Sequence, residues 1–361
     1  MTPMKGIQLT GPGQYRLRAD LPIPEPAPDE VRVRVVASGI CGTDVHICSG
    51  DPSMTGIVAP PVVLGHEFCG HVDKLGAAVD PSRVREGAYV SAEMHEVCGE
   101  CPACRDGAFH ACTTTRIRGI NLDGAFAEFV CVSASNIVVL PPSLPVQVGA
   151  ILDPLGNAVH TTMKVPVDNR TVAIVGYGPI GAMCAEVAAF VGASHIFLID
   201  VAELALQRAR QWVARRNLGH KVTVVDSRQQ KPSVVDTVVA ATKGGVDVAL
   251  EISGHPAGIN NAIQMTRAAG HVVHLGLPKG DQVPIERFSK NFIFKGLTLH
   301  AVIGREMFRT WEQMLDLIGR GLDLRELVSA EMGLDQFGTG IDRFGRGLES
   351  KVVLYPHGKP R

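Results

Sequence analysis

Residues 171–200 narrow the possible folds more than any other stretch. Thr171, Val172, Ala173, Ile174 and Val175 form a short β-branched run. Gly176, Tyr177, Gly178, Pro179, Ile180 and Gly181 follow at once, and then an apolar helical pattern to about Val191. Glycines at this spacing carry little weight alone, but a strand before and a helix after are the context the pattern requires. The first glycine makes the tight turn, the second leaves room for a pyrophosphate, and the third lets helix and strand pack closely. Pro179 suits a first helical turn, where unpaired N–H groups bind phosphate. A second strand over residues 195–199 ends in Asp200. A carboxylate there accepts from both ribose hydroxyls and repels a 2′-phosphate, so NAD is expected rather than NADP. Further strands are predicted at 222–225, 246–251, 271–275 and 297–301, alternating with helices in the pattern of a doubly wound parallel sheet. The expected cofactor-binding residues are Gly176, Gly178, Pro179, Ile180, Gly181 and Asp200, with Leu275 and Gly276 at the end of a later strand.

Upstream stands a second chemical signal. Cys41, His66 and Glu67 offer a thiolate, an imidazole and a carboxylate, ligand types that zinc accepts together. Three protein ligands leave a fourth position open, which is the pattern of a catalytic site. Taken singly, Cys41 is a buried small hydrophobe and His66 a core histidine; their grouping favours a metal. Cys98, Cys101, Cys104 and Cys112 then follow with two-, two- and seven-residue gaps. Short gaps let successive sulfurs converge on one ion, and four thiolates close a structural zinc site. An iron–sulfur cluster is the rival, but no proline follows the fourth cysteine and an open metal set already exists upstream. Cys48, Cys69, Cys131 and Cys184 lack such company and are expected to pack. Asp153 lies in an apolar run and needs a partner or a cation, so it is read as a metal ligand or a helix cap.

The 361-residue length predicts about two domains. A formal charge of −1 with mixed signs gives no field for nucleic acid or an anionic membrane, and no apolar run is long enough to span one. Clustered cysteines fit metal binding in a reducing, cytoplasmic setting. Alternating apolar residues up to Val36 predict a β-rich opening. Residues 203–218 read as an amphipathic helix with Arg208, Arg210, Arg215 and Arg216 on a solvated face. Met307, Phe308, Trp311, Met314, Leu315 and Ile318 repeat at helical spacing and are read as core, and residues 351–355 as a last strand returning to the first domain.

With both metal sets, the glycine loop and their order in hand, the chain resembles the zinc-dependent medium-chain dehydrogenases from end to end. Cys41, Gly42, Thr43, Asp44, Val45 and His46, with Gly65, His66 and Glu67, carry the likeness, together with the four-cysteine lobe. Residues 153–161 and 304–308 resemble the threonine dehydrogenase branch. The resemblance implies an α/β fold: a GroES-like β-barrel catalytic domain at 1–157, with 304–361 returning to it, and a Rossmann NAD-binding domain at 158–303. It implies two zincs per subunit, a homotetramer, and a small-molecule secondary alcohol as the partner. By position, Cys41, His66 and Glu67 would hold the catalytic zinc with Asp153 as an exchanging ligand, and Cys98, Cys101, Cys104 and Cys112 the structural one. Thr43 and His46 match a proton relay, and His95 a substrate-side histidine. The implied reaction is oxidation of a secondary alcohol to a ketone with hydride passing to NAD, first of all L-threonine to 2-amino-3-oxobutanoate, with Arg305 a positional candidate for the carboxylate. Two departures stand out. Ile47, Cys48, Ser49, Gly50 and Asp51 replace bulky aromatic residues, which keeps polyols and cyclic alcohols as alternative substrates, and Ala205 replaces an arginine near the ribose. A non-catalytic zinc- and dinucleotide-binding protein is the alternative of a different class.

Overall fold

Valines alternate with polar residues across Glu30–Gly39, and in the computed structural model Val31, Val33 and Val35 are all buried on one face of that strand. The structure describes residues 3–280 and 282–359, and the chain divides into two units. The first runs through Pro154 and takes back Glu306–Asp316 and the chain from Leu324 onward; the second comprises Leu155–Arg305 and Leu317–Asp323.

In the first unit, Glu30–Gly39 sits at the centre of a seven-stranded sheet, flanked by Phe68–Leu75, Val352–Tyr355 and Phe129–Ser133. A three-stranded sheet pairs Pro3–Gly11 with Gln14–Pro22 and Val62–Val63. The last strand, Val352–Tyr355, pairs Val353 with Gly39, so the end of the chain reaches the metal stretch. Phe126 and Phe337 pack against each other in the core beneath it, with Ile40, Leu64 and Val352. Each fully buried side chain of this kind contributes about 1.5–3 kcal/mol.

The second unit is a six-stranded parallel sheet. Its strands are β1 (Thr171–Val175), β2 (His195–Asp200), β3 (Val222–Asp226), β4 (Val246–Glu251), β5 (Thr266–His274) and β6 (Thr298–Ala301). They lie in the order 3-2-1-4-5-6. β1 pairs with both β2 and β4, so the strand order reverses there, and in such sheets the ligand lies beyond the carboxyl ends of the strands at that reversal. The apolar runs of the inner strands, with Val172, Ala173, Ile174, Ile196, Leu198, Val248 and Leu250 all buried, are what a sheet covered on both faces demands. No helix among the described residues is long and apolar enough to cross a membrane.

Two sequence expectations are corrected. Arg216 is not on a solvated face: its guanidinium lies 3.2 Å from the carboxylate of Glu186, a 6%-exposed acid inside helix Pro179–Phe190, which also accepts from Trp212 Nε1 at 2.7 Å. The charge of Glu186 needed partners, and helix Glu203–Arg215 with its C-cap supplies them. Phe308 is exposed with φ of 66°, in the turn before helix Arg309–Gly319, and the buried face of that helix is Trp311, Met314 and Leu317, with Leu315 and Ile318 only partly buried. Cys48, Cys69, Cys131 and Cys184 are buried and pack as expected.

Candidate active site

The metal stretch begins where Glu30–Gly39 ends. Cys41 is the N-cap of helix Gly42–Ser49, and the Asp44 carboxylate reaches back to accept from the Cys41 backbone N–H at 2.9 Å. That cap fixes the thiol of Cys41 at the helix start. Helix and following loop bring the donor atoms of Cys41, His66 and Glu67 within 4.8 Å of one another, with His66 and Glu67 buried. Cys41 Sγ lies 3.8 Å from the Thr43 hydroxyl. Asp153 lies outside this tight cluster but acts electrostatically on both His66 and Glu67.

Two further side chains complete the surroundings. Asp44, fully buried, places Oδ1 3.6 Å from His66 Nδ1. Lys351, 1% exposed, directs Nζ to Glu67 at 2.7 Å from Oε1 and 2.6 Å from Oε2, and also donates to Ile40 O at 2.6 Å. Burial raises the pKa of the Asp44 and Glu67 carboxyls, offset in part by His66 and Lys351. Burial pulls His66 down, yet Asp44 and then Cys41 overcome it and push the imidazole up to about 10. The pocket therefore favours positive charge at its centre, and a thiolate, an imidazole and a carboxylate fit zinc. Asp44 stood in the sequence motif without a role; a buried acid behind a ligating histidine orients it. Lys351 directly precedes the apolar strand Val352–Tyr355, and only its place there could have marked it.

His46 and His95 are each held by a carboxylate. His46, half exposed, has Nδ1 2.7 Å from Asp51 Oδ2, and Asp51 also accepts from Ser53 N at 2.9 Å. The Ser53 N–H first and His46 second hold the Asp51 carboxyl down to about 2. His95 Nδ1 lies 2.7 Å from Oε1 of the buried Glu93, whose other oxygen accepts from Trp311 Nε1 at 3.0 Å. Arg305 is buried, with 2% exposure.

The four lobe cysteines form the second donor cluster, their sulfurs within 4.8 Å of one another. Cys98 Sγ lies 4.0 Å from Cys104 Sγ and 3.6 Å from Cys112 Sγ. Backbone N–H groups point at the sulfurs: Cys98 N to Cys112 Sγ at 3.4 Å and Cys101 N to Cys98 Sγ at 3.3 Å. Such donors stabilise thiolates, and the N–H groups of Cys98 and Thr114 hold the Cys112 thiol down to about 5. A closed set of four thiols fits a structural zinc.

In the second unit the glycine loop has the geometry a pyrophosphate needs. Gly176 has φ of 100°, and a Cβ on Gly181 would stand 2.0 Å from Gly176 O, so the third glycine is required for helix Pro179–Phe190 to pack on β1. At Gly178 nothing lies within 4 Å of such a Cβ, so the turn leaves open space there. Pro179 and Ile180 begin the helix, at the end whose unpaired N–H groups suit an anion. Asp200 closes β2 and accepts from Tyr177 N at 2.6 Å and from Val201 N and Ala202 N at 2.7 Å, which ties it to the glycine loop. Leu275 and Gly276 follow β5 and donate their N–H groups to Glu251 O at 2.9 and 3.1 Å.

A buried cation site in one unit and a pyrophosphate cradle in the other are the equipment of a metal-assisted, dinucleotide-dependent oxidoreductase. Comparison with known proteins narrows that class: residues 27–142 match the alcohol dehydrogenase GroES-like domain, and residues 179–320 match the zinc-binding dehydrogenase family. The chain belongs to the zinc-dependent medium-chain dehydrogenases, with a GroES-like domain, a Rossmann-type domain and two zinc-binding donor sets. It is 40% identical to the L-threonine 3-dehydrogenase of Symbiobacterium thermophilum over 356 residues, 98% of each chain. The Bacillus subtilis L-threonine 3-dehydrogenase is 39% identical over 93% of this chain and 94% of its own. Among solved structures, a Sinorhizobium meliloti 1021 protein assigned as a zinc-binding dehydrogenase and bound to NADP superposes with a TM-score of 0.85 at 32% identity, covering 99% of this chain and 100% of that one. The 2R,3R-butanediol dehydrogenase of Bacillus subtilis gives 0.85 at 26% identity over 98% of this chain and 100% of its own.

Proposed function

We propose that the protein oxidises the hydroxyl of a secondary alcohol to a ketone with NAD as hydride acceptor, and that its substrate is L-threonine, giving 2-amino-3-oxobutanoate. The observation that carries the reading is the Cys41, His66 and Glu67 cluster, with its histidine and glutamate buried, in a chain matched over nearly its full length by L-threonine 3-dehydrogenases.

Cys41, His66 and Glu67 would hold the catalytic zinc, with Asp153 as an exchanging ligand, and Cys98, Cys101, Cys104 and Cys112 the structural one. Bound there, zinc supplies the Lewis acidity that lowers the pKa of an alcohol, and the nicotinamide supplies the hydride acceptor. Asp44 orients His66, and Lys351 neutralises Glu67 so that the pocket does not hold an excess of negative charge. The Thr43 hydroxyl, next to Cys41, takes the substrate proton and passes it toward His46, whose Nδ1 is fixed by Asp51 so that Nε2 is the accepting nitrogen. His95, set by Glu93, stands on the substrate side. Gly176, Gly178, Pro179, Ile180 and Gly181 receive the pyrophosphate, Leu275 and Gly276 the nicotinamide half, and Asp200 the adenosine ribose, which favours NAD over NADP.

A substrate panel with the zinc-loaded enzyme tests the reading. NADH formation with L-threonine should exceed that with sorbitol, butanediol or cyclic alcohols; a flat threonine response with turnover of a polyol removes threonine and keeps the chemistry. Cys41→Ser should abolish turnover while NAD binding survives in calorimetry, and loss of both would make Cys41 structural. Nine unpaired cysteines support a reducing, cytoplasmic setting, and the enzyme is read as a homotetramer.

A further inference from the structure

Glu251 ends β4, is fully buried, and has no part in the chemistry above. Its carboxylate accepts from Ser253 N at 3.0 Å, from the Ser253 hydroxyl, and from Gly254 N at 3.1 Å. Its backbone oxygen accepts from Leu275 N and Gly276 N, at the end of the neighbouring β5. One residue thus ties down two loops, 252–254 and 275–276. The loops meet backbone to backbone: a Cβ on Gly276 would stand 2.2 Å from Gly254 N and 2.7 Å from Glu251 Oε2. The first loop also abuts the glycine turn, since a Cβ on Gly176 would stand 3.0 Å from Ser253 N. His274, paired in register with Glu251, completes the arrangement. Its Nε2 donates to Gly276 O at 2.7 Å, and its Nδ1 faces Glu251 Oε2 at 3.6 Å. Burial raises the Glu251 carboxyl, and the Ser253 and Gly254 donors, with His274, pull it back.

The place of these loops says what they serve. In a sheet of order 3-2-1-4-5-6 the dinucleotide lies across the reversal between β1 and β4, one half on each side. Asp200 at the end of β2 marks the adenosine side. The ends of β4 and β5 therefore face the other half.

We propose that Glu251, assisted by His274, is a positioning residue for the nicotinamide half of the cofactor, holding loops 252–254 and 275–276 in the shape that receives it. The inference rests on the dinucleotide-dependent reading above and adds a residue to it. Because the carboxylate acts through backbone N–H groups, its loss should blunt recognition of one end of the ligand and leave the other intact.

Calorimetry of the full-length, zinc-loaded chain with NADH and with ADP-ribose, which lacks the nicotinamide, makes the comparison. For Glu251→Gln the Kd for NADH should rise on the order of tenfold, the loss of one charge-assisted hydrogen bond, while that for ADP-ribose stays within about twofold. Equal weakening of both ligands, or of neither, overturns the proposal. If Glu251→Gln does not fold, His274→Ala leaves the carboxylate in place and should weaken NADH about threefold with ADP-ribose unchanged; no difference between the two ligands overturns it again. An unmodified chain that binds neither ligand would remove the dinucleotide reading itself, a result distinct from either of these.

Discussion

The Glu67–Lys351 pair shows how much a single buried charge can demand. Both side chains are out of water, and each would be costly alone, whereas together they cancel at 2.6–2.7 Å. Lys351→Met removes the cation and leaves Glu67 buried and facing the negative charge of Asp153. The expected loss is about 3–5 kcal/mol of unfolding free energy in a urea titration, and Glu67→Gln combined with Lys351→Met should recover part of it. A single variant as stable as the parent would mean that water reaches this carboxylate. At this scale the sequence is legible only where partners are close along the chain. Cys41, Thr43, Asp44 and His46 fall within six residues, so a motif displays them together. Lys351 meets Glu67 across 284 residues and Trp311 meets Glu93 across 218, separations at which no spacing rule operates. Asp200→Ala removes the carboxylate expected on the ribose and should narrow the preference for NAD over NADP, read as the ratio of kcat/KM values; an unchanged ratio would move ribose recognition elsewhere.

Among elements, the turn between β1 and helix Pro179–Phe190 separates two uses of glycine that the sequence alone leaves merged. At Gly181 an added methyl would collide with Gly176 O, whereas at Gly178 it would meet nothing. Gly181→Ala should therefore destabilise the second unit by more than the roughly 1 kcal/mol that alanine gains in a helix. Gly178→Ala should leave the melting temperature unchanged and weaken NAD, because the methyl fills the space a phosphate would occupy. Differential scanning calorimetry alongside NAD titration distinguishes the two, and equal melting temperatures for both variants would contradict the packing argument. Strand positions were readable because buried parallel strands are runs of β-branched residues, a strong local signal. Less readable were places where tertiary packing overrides local pattern: β5 begins at Thr266, five residues before the predicted 271, and Phe308 turns outward where helical spacing placed it in the core.

On the scale of the whole molecule, the second unit leaves one edge of its sheet to be covered. β6 is the last strand in the order, and no further strand pairs with it among the described residues. Leu299 on that strand is 44% exposed, Ile303 just beyond it 63%, and Phe294 just before it 82%. An open edge carrying apolar side chains is a template for another strand, and natural proteins pair, cover or charge such edges. If the chain assembles as the homotetramer proposed above, a two-fold axis beside β6 would set two identical edges antiparallel, so that each strand supplies the donors and acceptors the other lacks. A homotetramer of this 38.5-kDa chain would then contain two such pairs. Light scattering after size exclusion should give four chains for the parent. Leu299→Lys with Ile303→Lys places charge on the edge without touching any donor of either metal cluster, and should halve the mass while leaving both zinc equivalents bound. A doubly substituted chain that still elutes as a tetramer would mean that β6 faces solvent in the assembly and that the subunits meet elsewhere.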